Sequence, residues 1–220
     1  MKKAILILIA LFITETLQGG NFYLVTGPYI PSIKTKFVNS TGKEITYTDL
    51  YGKSGTYLTI LHYDYALLKK FGELALGIET GFSMDRGRSL INDNGIFVKS
   101  GETLTMIMIP LNINLNYYLR LADWQPVVPF LKAGGSGFYF NEHKEKDGTT
   151  EGFKRGYYYA VGLEFLLDPL DPVSATNLKI DYGIENTYII AGYRVFKVKT
   201  PQPGFDFSNS SWFAGINFNF

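Results

Sequence analysis

The last nine residues of the chain, WFAGINFNF from Trp212 to Phe220, alternate between apolar side chains and small or polar ones. Side chains at alternate positions of a β-strand point to opposite faces. One face would carry Trp212, Ala214, Ile216, Phe218 and Phe220, and the other Phe213, Gly215, Asn217 and Asn219. A strand with one apolar face and one face that tolerates water is typical of the wall of a transmembrane β-barrel.

The same alternation recurs upstream and predicts five further strands. They are residues 56–65, 73–82, 103–120, 128–140 and 157–165. In the first two, every acidic residue falls on the face opposite the apolar one. Acids are therefore expected inside the barrel.

Two more segments, 21–38 and 183–199, alternate less regularly. Pro28 and Pro31 interrupt the first. In the second, Glu185 and Arg194 fall on opposite faces, which a bulge near Ala191 would reconcile. Pro110, inside the strand 103–120, lacks a backbone donor, so a bulge or local irregularity is expected there.

These segments make eight strands, and the connections between them are alternately long and short, as an up-and-down barrel requires. The predicted outer connections are 39–53, 86–101, 141–154 and 198–210, and the short inner ones are 68–72 and 120–126. In the third inner connection, Asp171 followed by Pro172 predicts a short periplasmic helix near 172–180, because Asp caps helices and Pro favours their first position.

We therefore predict an all-β fold, an eight-stranded antiparallel up-and-down transmembrane β-barrel. It would close by pairing residues 21–38 with residues 212–220, since an open edge in lipid leaves backbone groups without hydrogen bonds. A ten-stranded barrel and a soluble lipocalin-like barrel are the alternatives.

The composition removes several classes of function. The 220 residues contain no Cys and two His, His62 and His143, so thiol chemistry is excluded and most metal centres are disfavoured. The formal net charge of +1, with no basic run, argues against nucleic acid as a partner. No cofactor and no metal are expected.

The N-terminus predicts a cleaved signal peptide. Lys2 and Lys3 precede ten apolar residues from Ala4 to Ile13, and small residues follow at Gly19 and Gly20. We expect residues 1–20 to be removed during export through the Sec pathway. Residues 21–220 would then form one barrel domain in a Gram-negative outer membrane.

Three groups of residues resemble the myxobacterial-type family of small outer-membrane β-barrel proteins. They are Gly27–Pro28–Tyr29 with Pro31, the segment from Leu167 to Pro172 (LDPLDP), and Gly183–Ile184 with Thr187–Tyr188. The resemblance implies an outer-membrane barrel, and it implies no established activity.

The inward faces collect a polar cluster that is the candidate site. Its members are His62, Asp64, Glu79, Lys132 and Glu164, with Glu73 and Glu185 as further candidates. In a narrow barrel such charges must pair or hydrogen-bond. The simpler interpretation is a polar core with a purely structural role. The alternatives are a proton or ion path and a carboxylate-based hydrolase.

A lipid-modifying enzyme would need a nucleophile beside a base, and His62 with Ser54 or Ser83 is the combination that the sequence offers. His143 lies in a hydrophilic outer loop, where a solvated side chain is the simpler interpretation.

Aromatic residues near strand ends predict interfacial girdles. They include Tyr47, Tyr51, Tyr118, Trp124, Tyr139 and Trp212. A carbohydrate-binding platform is the alternative. On the last strand, Ile216, Phe218 and Phe220 look like the recognition signal of the outer-membrane assembly machinery, which would bind the strand by edge addition.

From these features we expect a monomeric, non-enzymatic barrel with a structural, surface-interaction or adhesion-type role through its extracellular loops. Its partners would be outer-membrane lipid, lipopolysaccharide and the assembly machinery. A lipid-modifying enzyme and a narrow transport barrel for small hydrophobic solutes are the alternatives. Large inward rings predict that it is not a wide pore: Tyr118, Phe130, Phe138, Tyr158 and Phe213.

Overall fold

The computed structural model describes residues 19–38, 44–52, 55–93, 96–122, 124–146, 148–198 and 206–220. Nearly all of the predicted leader, residues 1–20, lies outside this part of the chain. Gly20, its last residue, begins the first strand.

The strands and helices follow one another in a simple order. They are β1 Gly20–Tyr29, β2 Lys34–Val38, β3 Glu44–Thr46, α1 Tyr47–Tyr51, β4 Thr56–Leu68, β5 Glu73–Asp93, β6 Ile96–Tyr118, β7 Val127–Lys144, β8 Gly148–Leu166, α2 Pro172–Tyr182, β9 Asn186–Lys197 and β10 Asn209–Asn219. A single 3-10 turn, Asp168–Leu170, precedes α2.

Eight of these strands form one closed antiparallel barrel in the order β1-β10-β9-β8-β7-β6-β5-β4. The predicted closure is confirmed, because β1 pairs with β10 through, for example, Leu24 opposite Ile216. The inner turns near 68–72 and 120–126 are also found where they were predicted.

The predicted strand 21–38 is wrong as a single element. Its barrel part ends at Tyr29, and Lys34–Val38 pairs instead with Glu44–Thr46 in a separate hairpin. Pro28 and Pro31 supply no backbone donor for a continuing ladder, so the chain leaves the barrel at this point.

Two of the predicted outer loops, 86–101 and 141–154, are largely strand. β5 continues to Asp93 and β6 begins at Ile96, while β7 continues to Lys144 and β8 begins at Gly148. Polar composition marks exposure to water, but it does not end a backbone ladder. Residues 39–43, 53–54 and 199–205 of the other two predicted loops lie outside the described residues.

The bulge predicted near Ala191 is wrong. β9 keeps one register with β8 and with β10 along its whole length. Glu185 precedes the strand and pairs with Lys179 of α2, so only Arg194 has to face inward. At Pro110 the ladder with β5 lacks two pairs but resumes without a register shift.

The predicted periplasmic helix is confirmed as α2. The Ser174 hydroxyl donates to Asp171 Oδ2 at 2.7 Å, and the Ser174 amide donates to Asp171 Oδ1 at 3.0 Å. These two hydrogen bonds lower the pKa of Asp171. Gly183, with φ of 70°, ends the helix in the left-handed conformation. No helix in the described part of the chain is long and apolar enough to cross a membrane.

The exterior and the interior of the barrel differ as the alternation predicts. Leu61, Ile78, Ile113, Leu131 and Ile216 are exposed on the outer wall, which is an apolar belt. The interior is filled by side chains and divides into two parts. We call the part near the chain termini, which contains His62, Asp64 and Glu164, the polar half. We call the part near the long hairpins, which contains Phe138, Phe196 and Phe207, the aromatic half.

Candidate functional site

The five predicted members of the polar cluster all lie buried in the polar half of the interior. Their exposed fractions are 1% for His62, 0% for Asp64, 4% for Glu79, 1% for Lys132 and 0% for Glu164. They come from β4, β5, β7 and β8, so the closed sheet brings together residues that are distant in sequence.

His62 links two of the carboxylates. Its Nδ1 atom lies 2.9 Å from Glu79 Oε1, and its Nε2 atom lies 3.0 Å from Asp64 Oδ2. An ionised carboxylate only accepts hydrogen bonds, so this geometry suits a ring that donates from both nitrogens. The Tyr23 ring stacks on the imidazole with 3.9 Å between centroids.

Asp64 is the most heavily bonded acid. It accepts the Tyr118 hydroxyl at 2.6 Å, the Asn116 side chain at 3.1 Å and the Asn21 side chain at 2.9 Å. A buried carboxylate is tolerated when several donors replace its water, and these donors do so.

Arg120 connects the remaining two acids. It donates to Glu73 at 2.7 Å and to Glu164 at 3.0 Å, and Asn217 donates to Glu164 at 2.7 Å. Arg120 stands where the predicted strand 103–120 meets the predicted connection 120–126, and it was not among the predicted site residues. Its parity with Tyr118, two residues earlier on the same face, is the signal that could have found it.

Lys132 faces rings rather than an acid. Its Nζ atom lies 3.6 Å from the centroid of Tyr23 and 5.1 Å from that of Phe130, which is cation–π geometry. Among the described residues it makes no ion pair within 4.0 Å.

The interior also holds two arginines that the predicted polar cluster did not include. Arg120 and Arg194 add two cations to the interior, and Glu185 lies outside it. Arg194 donates to the Leu58 carbonyl at 3.2 Å, while its Nη1 atom has no partner among the described residues. The interior therefore contains basic side chains from several strands together with its acids.

The geometry offers little for nucleophilic catalysis. Both ring nitrogens of His62 are engaged by carboxylates, and Ser83 Oγ has no hydrogen-bond partner among the described residues. His62 and Ser83 therefore do not form a hydrogen-bonded pair. Ser54 lies outside the described residues. Within the described ranges, no three His, Asp or Glu side chains are arranged to hold a metal ion.

The aromatic half is packed with rings. Phe138 stacks on Phe207 at 6.0 Å and meets Phe196 edge-on at 5.1 Å, and Tyr158 packs against Phe196 at 5.0 Å. Tyr29 stacks on Phe138 at 6.0 Å and donates its hydroxyl to the Phe207 carbonyl at 2.8 Å. These rings occupy the axis of the barrel.

Helix α1 covers this half, so the girdle prediction is wrong for its two tyrosines. Tyr47 and Tyr51 stack at 4.6 Å and are buried. Tyr47 donates to Asp85 and Tyr51 to Glu142, each at 2.7 Å. Burial, with the neighbouring carboxylate, raises the pKa of both phenols well above the ordinary value.

The remaining girdle residues divide in the same way. Tyr118 is buried inside the barrel, whereas Trp124 and Trp212 are 75% and 70% exposed on its surface. Tyr118 ends a strand, but its side chain lies on the inward face of β6. Parity along the strand, rather than position near its end, decides the side.

A basic cleft opens beside α1, where β5 and β6 rise above the apolar belt. It has a volume of about 410 Å³ and is lined by Arg86, Arg88, Lys99 and Thr103, with Leu50 and Tyr51 of α1. The ladder between β5 and β6 shifts register between Arg88 and Leu90, next to this cleft. This cleft was not predicted from the sequence, because residues 86–101 were expected to form a loop.

Comparison with known proteins agrees with this architecture. No protein-family model matches the chain, and no curated protein sequence matches it. Neisserial surface protein A (NspA) is similar in structure, with 12% identity, a TM-score of 0.52, and coverage of 92% of this chain and 100% of that one. The outer membrane protein OprG from Pseudomonas aeruginosa has 10% identity, a TM-score of 0.52, and coverage of 92% and 96%.

At this level of identity the similarity concerns the fold alone. The closed eight-stranded antiparallel barrel, with its apolar outer belt and polar interior, is the fold of the small eight-stranded outer-membrane β-barrels.

Proposed function

We propose that this barrel resides in the outer membrane and acts through contacts made by its extracellular face, in a surface-interaction or adhesion-type role. The observation that carries the proposal is the contrast between a filled interior and long hairpins. β5–β6 and β7–β8 extend well past the apolar belt as paired strands, which present a stable surface to the outside.

The filled interior supports a role that does not depend on conduction. Phe138, Phe196 and Tyr158 pack across the aromatic half, and the ion pairs of Arg120 span the polar half. We expect planar-bilayer recordings of the full chain to show no stable porin-like conductance. Such a conductance would contradict the packing of the interior.

The proposed role is not enzymatic. The absence of an enzymatic role from this proposal is supported by His62, because both of its ring nitrogens are hydrogen-bonded to carboxylates and neither is free to activate a nucleophile. The variant His62→Ala should leave the lipid A profile of the membrane unchanged. A changed profile would favour the alternative of a lipid-modifying enzyme.

The proposal is tested by shortening the hairpins on cells. Deleting residues 88–93 together with 96–101 removes matched lengths of β5 and β6 and leaves the barrel strands paired. We expect loss of binding of cells to an abiotic or cellular surface that the parent strain binds, with unchanged barrel level and band shift on unheated gels. An unchanged binding phenotype after this shortening of the β5–β6 hairpin would contradict the proposed role.

Export and assembly complete the proposal. Residues 1–20 would direct Sec export, and Ile216, Phe218 and Phe220 would present the assembly signal. Ile216 and Phe218 occupy outward positions of β10, and Phe220 directly follows the strand. Deleting Phe220 should lower the level of assembled barrel, and deleting Leu170, which is exposed in the periplasmic turn, serves as the control.

A further inference from the structure

The basic cleft lies at a defined height on the barrel wall. The outward side chains of β5 run through Ile78, Phe82 and Met84, which are exposed and apolar, and then change to Arg86 and Arg88. Two residues of a strand span about 7 Å, so the cations begin within about 7 Å of the end of the apolar stripe. This is the level of lipid headgroups.

The cations of the cleft have no anionic partner in the described part of the chain. Arg86, Arg88 and Lys99 are exposed and take part in none of its ion pairs. Three positive charges in one cleft repel one another and favour an anionic ligand.

The nearby acids are engaged by neutral donors instead. Asp85 accepts Tyr47 Oη at 2.7 Å, and Glu142 accepts Tyr51 Oη at 2.7 Å. Glu102 accepts the Lys146 amide at 3.0 Å, and Glu145 accepts the Thr103 amide at 3.3 Å. Hydrogen bonding has therefore oriented the acids toward neutral groups and left the cations available.

Helix α1 packs on the inward face of β5 beside the cleft and supports the strand that carries Arg86 and Arg88. A Cβ atom at Gly87 would lie 2.5 Å from the Leu50 carbonyl oxygen, so the helix backbone packs directly against β5 at this residue. The cleft, about 410 Å³ in volume, is large enough for a phosphate and an adjoining sugar.

We propose that the cleft formed by Arg86, Arg88, Lys99 and Thr103 binds a phosphate group on the headgroup of a glycolipid in the outer leaflet. Arginine forks match phosphate oxygens in pairs, and the Thr103 hydroxyl can donate a further hydrogen bond. The height of the cleft above the apolar belt selects a membrane lipid over a soluble anion. This inference rests on the proposed placement of the hairpins on the outer side.

The test uses the full barrel purified in detergent, with phosphorylated lipid A and dephosphorylated lipid A as probes and native mass spectrometry as the readout. Arg86→Ala with Arg88→Ala should weaken binding of phosphorylated lipid A about tenfold or more, since charge-assisted hydrogen bonds are lost. Lys69→Ala with Lys70→Ala removes the same charge at the opposite end of the barrel and should have little effect. Arg86→Lys with Arg88→Lys should retain part of the affinity and shows that the site tolerates substitution.

Equal binding by the parent protein and the Arg86/Arg88 double alanine variant would overturn the inference, and so would equal binding of the two lipids. Adding inorganic phosphate separates the lipid from the free anion. Displacement of the lipid by an equimolar amount of inorganic phosphate would show that the cleft binds the free anion as well as it binds the lipid, contrary to the proposal. Because binding is measured on purified protein, it can fail while the hairpin deletions still abolish surface binding, and the reverse holds as well.

Discussion

The two halves of the interior solve the same problem, the filling of a narrow barrel, by different means. In the polar half, most buried charges have a partner of opposite charge, as Arg120 has in Glu73 and Glu164. In the aromatic half, rings such as Phe138 and Phe196 fill the space by contact alone. The polar half therefore depends on the presence of each partner, whereas the aromatic half depends on volume.

The largest effect is expected from Arg120→Met, which keeps much of the side-chain volume and removes the charge. Two buried carboxylates would lose their cation, and the free energy of unfolding should fall by about 3–5 kcal/mol. The midpoint of urea unfolding, followed by the band shift on unheated gels, measures this loss.

The matched control removes the orphaned charges as well. Arg120→Met combined with Glu73→Gln and Glu164→Gln should recover most of the lost stability, because an uncharged cluster has little desolvation cost. If the triple variant were as unstable as Arg120→Met, packing rather than charge would determine the stability of the polar half. The proposed difference between the two halves would then be wrong.

A smaller effect is expected in the aromatic half from Phe138→Leu. The change removes part of a buried ring and leaves a small cavity, so the free energy of unfolding should fall by about 1–2 kcal/mol. The same urea experiment applies. A loss as large as that of Arg120→Met would show that the rings are no more tolerant than the ion pairs.

A local effect is expected at the cover of the aromatic half. Tyr47→Phe with Tyr51→Phe removes the hydrogen bonds to Asp85 and Glu142, and α1 should open more readily by about 1 kcal/mol. Hydrogen exchange at residues 47–51 measures the opening. Tyr139→Phe is the control, since that hydroxyl bonds Glu151 on the exposed surface. Unchanged exchange in α1 would mean that stacking alone holds it.

The smallest effect is a dependence on alkaline pH. Burial raises the pKa of Tyr47 and Tyr51 above the ordinary value of 10.0. The two phenols therefore hold their protons more tightly when α1 is packed on the barrel than when it has opened. The stabilisation of α1 is therefore complete below pH 10 and is lost as the pH rises further. The protection of the amides of residues 47–51, measured relative to the intrinsic base-catalysed exchange rate, should fall above pH 10 in the parent protein and change less in the double Phe variant.

The outward and inward faces of the strands could be predicted from the sequence, because period-two alternation is a local property of each strand. The wall from Trp212 to Phe220 and the burial of His62 and Glu164 follow from it directly. Lengths were harder to predict. Polar residues 86–101 resemble a loop in composition, yet their backbone groups pair across β5 and β6.

The partners of the polar half could not be predicted in the same way. Alternation places Asp64, Tyr118 and Asn21 inside the barrel, but their contacts depend on the stagger between strands around the closed sheet. Arg194 shows that even the face of a residue within one strand is hard to predict when the start of the strand is uncertain from the sequence. A bulge seemed necessary only while Glu185 was taken to be part of β9.

The sequence by itself determined the class of fold, the strand count and the capped helix after Asp171, since each depends on residues close together in the chain. It also determined the closure of β1 on β10, because an open sheet edge in lipid would leave backbone groups without hydrogen bonds. Only the tertiary structure decided which charges meet, that α1 covers the aromatic half, and that Arg86, Arg88 and Lys99 line one cleft. Those contacts join residues from separate strands, and barrel closure alone fixes the distances between them.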